Sequence, residues 1–203
     1  MTSIITGDII NSKKVDPEAW LIVLKDELGK IGTSPSQWEI FRGDGFQVEV
    51  RDPLEALIIA IKIKTAIKTI KKIDVRMAIG IGDKTHISDC ITECNGTAFI
   101  YSGEKFDVLK KKKCNLDINS QWHDFNKEIG LYLKLGLVAM DKWSTSVAKT
   151  IKMAIDNPND SQEVLGEKLG IRQNTISENL NNGYYNEILA INEMYKTKLK
   201  LLL

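Results

Sequence analysis

The amino-acid sequence predicts an α+β protein, in which a mixed part of strands and helices is followed by an all-helical part. Up to about residue 120, short β-branched runs alternate with segments whose apolar residues recur at helical spacing, and beyond that point only helical spacing is found. The chain has 203 residues, and domains commonly hold about 100 to 150 residues. We therefore expect a first domain at 1–120, a connector helix at 121–143 and a second domain at 144–203.

The first fifty residues contain three predicted strands and one helix. MTSIIT is a β-branched run that we expect to end at Gly7-Asp8. A helix over 17–31 follows, because Asp16 is a suitable N-cap and proline favours the first helical position. WEIF and FQVEV are strands joined by a hairpin, in which Asp44-Gly45 is expected to adopt positive φ.

The next segment repeats this alternation. Asp52-Pro53 opens a second helix, VRMAIGIG at 75–82 is a buried strand, a helix covers 96–111, and 115–118 is a possible last strand. The second helix carries a row of lysines that we expect to face the solvent: Lys62, Lys64, Lys68, Lys71 and Lys72.

The order β α β β α β is typical of the ferredoxin-like arrangement, an antiparallel sheet with helices on one face. In that topology the first strand lies in the centre of the sheet, beside the hairpin. We therefore expect Asp8, at the end of the first strand, to be a neighbour of Asp44 in the hairpin turn.

The segment after residue 120 is predicted to be helical throughout. Residues 122–142 have apolar side chains on nearly all sides, which predicts a helix buried between two partners. Ser144 is the expected cap of a helix at 145–155. The stretch QEVLGEKLGIRQNTISENLN fits a helix-turn-helix, with Gly170 in the turn and Gly183 as a left-handed cap of the second helix. A final helix starts at Tyr185.

Composition excludes several classes of protein. The net charge of +1 gives no overall sign of a nucleic-acid binder. Three cysteines without a CxxC pair are typical of a reducing compartment. No apolar run reaches the roughly 18 residues that span a bilayer, and MTSIITGDII lacks the charged start of a signal peptide. We therefore expect a cytoplasmic protein without a membrane partner.

Two neighbouring carboxylates either raise the pKa of one of them or bind a divalent cation. Asp8, Asp44 and the backbone carbonyl of Ile9 would form an oxygen site suited to Mg²⁺, which takes phosphate oxygens as further ligands. Residues placed to contact the phosphates of a nucleoside triphosphate are Ile10, Asn11, Ser12, Lys13 and Gly43. The alternative is that Asp8 caps a loop and Asp44 is only a turn residue.

The second helix of the predicted helix-turn-helix would present polar side chains to the major groove. The candidate DNA contacts are Arg172, Gln173, Asn174, Thr175, Ser177 and Asn181. Residues 144–203 carry seven charges of each sign, and Glu178 opposes phosphate, so a protein-docking bundle is the alternative. A homodimer through the final helix, with Lys196, Lys198 and Lys200, would enlarge the DNA contact.

Several motifs resemble known families. "TGDIINSK", "RGDGFQVEV", "VRMAIGIG" and "GTAFIYSGEKF" are similar, in order, to segments of class III nucleotide cyclases. The resemblance implies that Asp8 and Asp44 bind the cations that hold a nucleoside triphosphate. Where that family carries a catalytic Asn and Arg, this chain has Ile100 and Glu104, which implies binding without turnover. An active, divergent nucleotidyl cyclase or another palm-type nucleotide enzyme is the alternative.

Across the whole chain, "MDKWSTSVAKTIKMAI" followed by "SQEVLGEKLGIRQNTISENL" resembles the SatD family of bacterial proteins. That resemblance implies a regulator in which a cyclase-like domain precedes a helix-turn-helix. The expected function is therefore a DNA-binding transcriptional regulator that senses a nucleotide with Mg²⁺. A protein-docking module on an inert palm scaffold is the third possibility.

Overall fold

The computed structural model describes residues 1–203 as a mixed α/β protein with a five-stranded sheet and eight α-helices. The strands are β1 (Thr2–Ile10), β2 (Trp38–Phe41), β3 (Gly45–Val50), β4 (Asp74–Gly82) and β5 (Leu116–Asn119). The helices are α1 (Pro17–Gly29), α2 (Ala56–Lys68), α3 (Thr97–Lys112), α4 (His123–Met140), α5 (Thr145–Asp156), α6 (Gln162–Leu169), α7 (Gln173–Asn182) and α8 (Tyr185–Lys200). Each of these elements was predicted in kind, with ends that differ by a few residues.

The sheet has the strand order β2-β3-β1-β4-β5. All neighbours are antiparallel except β4 and β5, which run parallel. The central strand β1 does not end at Gly7-Asp8 as the sequence predicted. It continues to Ile10, because Ile9 and Ile10 still pair with Val75 and Asp74 of β4. Asp8 therefore lies within a paired strand, and its conformation is fixed by neighbours on both sides.

The two faces of the sheet are covered by different helices. Ile5 and Ile9 belong to the main hydrophobic cluster with side chains of α1 and α2, whereas Ile4 packs against Ala98 and Phe99 of α3. On the α3 face the helix approaches β4 closely: a Cβ added at Gly80 would collide with the Ala98 carbonyl oxygen and the Ser102 nitrogen. The strand opposite α3 therefore needs glycine at this position.

The helices of the second half share the main core with the sheet. A single cluster of 33 buried residues includes side chains of α1, α2, β1 and β4 together with Ile151 of α5 and Tyr195 of α8. Polar contacts also join the two halves, since the Tyr195 hydroxyl donates to the Pro53 carbonyl at 2.6 Å. The Lys152 ammonium lies 2.9 Å from the buried Glu27 carboxylate of α1. Helix α5 thus packs on α2 and is paired with α1, and helix α8 packs on α2 and on the turn before it.

The prediction that the lysine row of α2 faces the solvent is wrong for two of its members. Lys64 is fully buried and its Nζ lies 2.8 Å from carboxylate oxygens of both Asp74 and Asp141. Lys68 is 8% exposed and bonds Asp74 and the Asp141 carbonyl. The two lysines can be buried because these acceptors, from β4 and the end of α4, neutralise them.

The prediction that α4 is buried between two partners holds only in part, because α4 contacts β5 and α8 but keeps one exposed side. One side, with Phe125, Ile129 and Leu133, packs into the core. The opposite side exposes Leu131, Leu135 and Val138, because the elements in contact with α4, β5 and α8, cover only part of its circumference. None of the helices is long and apolar enough to cross a membrane.

Two glycine assignments change as well. In the hairpin, Arg42 (φ 52°) and Gly43 (φ 91°) take the positive values that were expected at Asp44-Gly45, because Gly45 already pairs with Phe41. Gly183 has φ −85° and is not a left-handed cap. Its glycine identity has a packing reason, since an added Cβ would collide with Ile151 and Val147 of α5.

Candidate functional site

The end of β1 and the hairpin turn bring Asp8 and Asp44 together. Asp8 is directly opposite Gly45 in the β1–β3 register, and the Ile9 N–H donates to the Asp44 carbonyl at 3.1 Å. The two aspartates are therefore neighbours, as expected from the strand order. Their proximity comes from backbone pairing, so it does not depend on flexible side chains.

A turn after β1 positions a third polar group beside this pair. Asn11 adopts the left-handed conformation (φ 62°, ψ 25°), and Ser12 begins a short 3-10 turn that ends at Lys14. The Ser12 hydroxyl donates a 2.6 Å hydrogen bond to Asp44 Oδ2. The sequence predicts a phosphate contact for Ser12, whereas its hydroxyl orients the Asp44 carboxylate.

Two cations that sequence reasoning missed flank Asp8. Arg76 is directly opposite Asp8 in the β1–β4 register, and its Nη1 lies 3.4 Å from Asp8 Oδ2. Lys110, near the end of α3, lies 4.0 Å from the same oxygen. Arg76 could have been noticed as the one charged residue inside the otherwise apolar run VRMAIGIG. Lys110 gave no signal that distinguishes it from its neighbouring lysines.

Burial dominates the electrostatics of Asp8. Burial raises the pKa of the Asp8 carboxyl above its ordinary value, Arg76 and then Lys110 lower it, and the neighbouring Asp44 raises it again. Asp8 Oδ1 and Arg76 Nε are buried atoms without a hydrogen-bond partner. A buried acceptor and a buried donor left unpaired in one place are uncommon in folded proteins. Asp8 Oδ1 can therefore still bind a cation or a hydrogen-bond donor, and the Arg76 Nε–H can still donate to an anion.

The remaining predicted ligand residues lie around this pair. Ile9 is buried, Ile10 is half-buried, and Asn11, Lys13 and Gly43 are exposed. No cluster of three or more His, Cys, Asp or Glu side chains is arranged to hold a metal ion. The cavities of about 560 and 510 Å³ are lined by other residues, and Asp8 and Asp44 are both half-buried.

The positions that correspond to cyclase catalytic residues lie on α3. Ile100 is 49% exposed and Glu104 is also exposed. Ile100 is ten residues before Lys110, which corresponds to about 15 Å along the helix axis. Ile100 and Asp8 thus lie towards opposite ends of α3, and Ile100 offers no polar group.

The polar helix α7 belongs to a small bundle with α5 and α6. Ile176 of α7 is fully buried and packs with Ala154 of α5 and Leu165 of α6. The turn between α6 and α7 requires small residues: Gly170 has φ 67°, and a Cβ at Gly166 would lie 2.7 Å from the Ile171 carbonyl oxygen. These contacts fix the orientation of α7 relative to α5.

A buried amide strengthens the attachment of α7. Asn179 donates to the Thr150 hydroxyl at 2.9 Å and to the Ser146 hydroxyl at 3.1 Å, both on α5. The predicted DNA contacts lie on the other side of α7 or at its start. Arg172, Gln173, Asn174 and Asn181 are exposed, and Thr175 and Ser177 are half-buried.

Ion pairs neutralise much of the positive charge near this bundle. Lys168 pairs with Asp160, Lys196 with Glu55 and Lys198 with Glu128, at 2.6 to 2.9 Å. Two of the terminal lysines expected to enlarge a DNA contact are therefore already compensated. Lys149 and Arg172 form no ion pair, so they are the free cations nearest to the start of α7.

Comparison with protein-family models, with curated proteins and with solved structures finds no match to the chain. The assignment of function accordingly depends on the geometry and chemistry of the residues described above.

Proposed function

We propose that the protein is a DNA-binding transcriptional regulator that reads DNA with α7. The observation that carries this proposal is the polar, exposed start of α7, where Arg172, Gln173 and Asn174 stand clear of the bundle on a rigidly held helix. Recognition helices contact base edges mainly through their N-terminal residues. Asn and Gln pair with adenine and Arg with guanine, so these side chains suit direct readout.

The weak positive field sets the expected strength of binding. Lys149 and Arg172 offer about two phosphate contacts per chain, and each contributes a slope of about −0.9 in a plot of log K against log salt. Glu178, exposed on the same helix, opposes phosphate. We therefore expect binding that is measurable at low salt and depends moderately on salt concentration.

Selection of bound sequences from a random duplex pool, followed by fluorescence anisotropy on the selected duplex, tests this proposal. Arg172→Ala is expected to weaken binding by about 1–3 kcal/mol, or roughly 5- to 150-fold. Lys25→Ala is the matched control, because Lys25 is also an exposed cation without an ion pair but lies on α1. The absence of any salt-dependent binding at about 50 mM salt would overturn the proposal and favour a protein-docking bundle.

We further propose that the first half is a ferredoxin-like palm that senses a nucleoside triphosphate with Mg²⁺. Support comes from the β2-β3-β1-β4 strand order, from the adjacent Asp8 and Asp44, and from the unpaired Asp8 Oδ1. Asp8, Asp44 and the Ile9 carbonyl would hold the cation. Arg76 and Lys110 offset the two carboxylates, so Mg²⁺ alone has little attraction, whereas a cation carrying phosphates suits a site with both signs of charge.

Thermal shift with ATP, GTP and other nucleotides, with and without Mg²⁺, tests this second proposal. A ligand at 100 times its Kd stabilises the folded state by about 2.7 kcal/mol, which raises the melting temperature by roughly 5–11 °C for a chain of this size. Asp8→Asn and Asp44→Asn should abolish the shift, and Asp124→Asn, an exposed carboxylate at the start of α4, should retain it. No shift with any nucleotide would contradict the proposal.

The same samples separate sensing from catalysis. Ile100 and Glu104 supply neither a hydrogen-bond donor for ribose nor a positive charge for a transition state, which favours binding without turnover. Product formed from ATP or GTP with Mg²⁺ or Mn²⁺, and lost in Asp44→Asn, would instead favour a divergent nucleotidyl cyclase.

Contacts between the two halves offer a route by which a nucleotide could influence α7. α5, which holds α7 through Asn179, also packs on α2 and pairs with Glu27 of α1 through Lys152. A ligand can bias α7 only if it binds one arrangement of these helices more tightly than another. DNA affinity measured with and without the stabilising nucleotide reports that preference directly.

A further inference from the structure

A continuous apolar surface is exposed where α4 and α8 lie side by side. We call it the α4–α8 face: Leu135, Val138, Tyr184 and Ile191 line one groove, and the exposed Leu131 and Met194 lie one helical turn further along α4 and α8. Leu135 and Val138 are 63% and 62% exposed, and Leu131, Tyr184 and Met194 are between 43% and 55% exposed. Scattered exposed apolar residues need no explanation, but a contiguous group on two adjacent helices indicates an interaction surface.

The shape of this face combines a ridge with a groove. Leu131, Leu135 and Val138 follow the four-then-three spacing that aligns side chains along one side of a helix. The ridge forms one wall of a groove of about 560 Å³, whose floor and other wall include Trp143, Ile188 and Ile191. A surface with a ridge beside a groove can fit a copy of itself, since each copy inserts its ridge into the groove of the other.

The area of the face is sufficient for self-association. Five of its six side chains are 43% to 63% exposed, so the face is comparable to the largest apolar patch on a typical monomer, about 300–600 Å². Two such faces would bury about 1,000 Å² of apolar surface, which is the lower bound for a specific interface before any polar rim is added.

The charges on the groove are complementary to each other. Lys142, just after α4, and Glu187 of α8 both line the groove and are exposed. Neither forms an ion pair within the chain. In a two-fold arrangement every contact occurs twice, so Lys142 of each copy can face Glu187 of the other. Opposite charges at the rim of an apolar patch favour association and fix its orientation.

We propose that the α4–α8 face binds the same face of a second copy of this chain, giving a two-fold symmetric dimer. Leu135 and Val138 of each copy enter the groove of the other, and Lys142 and Glu187 pair across the interface. The dimer would also present two α7 helices related by the two-fold axis. The proposal does not depend on DNA or nucleotide binding, because it concerns the free protein.

Sedimentation equilibrium of the full chain tests the proposal without any ligand. Interfaces of this size are compatible with a Kd on the order of micromolar, so at about 100 μM we expect twice the 22.8 kDa chain mass. Leu135→Glu should raise the Kd at least about 30-fold, because it places a charge in the apolar contact. Ile22→Glu is the matched control: Ile22 is 68% exposed on α1, and this variant should remain dimeric.

A charge exchange tests the symmetry of the contact. Lys142→Glu and Glu187→Lys should each weaken dimerisation, since each creates two like-charged pairs across the interface. An equimolar mixture of the two variants should dimerise again, because each of the two contacts in the mixed dimer joins one glutamate to one lysine. A wild-type monomer at about 100 μM, or a dimer that Leu135→Glu leaves intact, would overturn the proposal. Binding of the face only to a different protein would overturn it as well.

Discussion

Substitution of Lys64 by methionine tests whether the buried ion cluster fixes α2 to the end of α4. Methionine retains most of the buried alkyl stem and removes only the charge. The Lys64 Nζ has no exposed surface and bonds Asp74 Oδ1 and Asp141 Oδ1, both at 2.8 Å. The variant therefore leaves two carboxylates without their shared cation.

The magnitude follows from the surroundings of the two carboxylates. Removing one partner of a buried ion pair typically costs about 3–5 kcal/mol. Here the cost is reduced, because Lys68 stays 3.2 Å from Asp74 and the Asp141 side chain is 37% exposed to water. We expect the free energy of unfolding to fall by about 2–3 kcal/mol. Lys62→Met on the same helix is the matched control, since Lys62 is 36% exposed and 3.9 Å from Asp156, and we expect a loss below about 0.5 kcal/mol.

Urea denaturation followed by far-UV circular dichroism measures both variants under identical conditions. The loss in Lys64→Met should persist at high salt, because buried charges are poorly screened. The double variant Lys64→Met/Asp141→Asn should lose less than the sum of the single variants, because the two residues interact directly. A loss below about 0.5 kcal/mol in Lys64→Met would refute the view that this cluster fixes α2 to the end of α4.

Three further predictions concern single positions. Gly80→Ala should destabilise the protein by at least about 1–3 kcal/mol, because the added methyl meets the backbone of α3. Gly103→Ala should stabilise it by about 0.5–1 kcal/mol, because a Cβ there has nothing within 4 Å. Equal melting temperatures of the two variants would contradict the packing argument. Tyr195→Phe should cost about 1–3 kcal/mol in urea denaturation, because it leaves the buried Pro53 carbonyl without its 2.6 Å donor, and an unchanged midpoint would argue against it. Burial raises the pKa of the Asp8 carboxyl, so Asp8 stabilises the folded state below its ordinary pKa, and this stabilisation is lost as the pH rises through the folded-state pKa. Asp8→Asn should remove the loss. Curves of the free energy of unfolding against acidic pH that have the same shape for wild type and variant would contradict this prediction.

Much of the fold could be predicted because its signals are local. Asp16 and Ser144 were expected to cap α1 and α5, and their side chains accept the N–H groups of Glu18 and Val147. Helix and strand types follow from apolar periodicity over a few residues, which is a property of neighbouring positions. The pairing of Asp8 with the hairpin could also be anticipated, since one topology suits this order of elements.

The candidate site was only half predictable from the sequence. Asp8, Asp44 and Ser12 stand in recognisable short motifs. Arg76 and Lys110 reach Asp8 from β4 and α3, and nothing within those segments shows which carboxylate they approach. The register of β1 against β4 decides this contact, because a shift of one residue would turn Arg76 to the other face of the sheet.

The kinds and order of the elements can be predicted from the amino-acid sequence, since capping and hydrophobic periodicity act over one or two turns of chain. The tertiary structure alone decided which surfaces are covered. Lys64 is buried because Asp74 and Asp141 meet it there, and Leu135 is exposed because no element covers that side of α4. Burial is a property of the neighbours that a residue acquires on folding, and a periodic pattern describes only the residue's own helix.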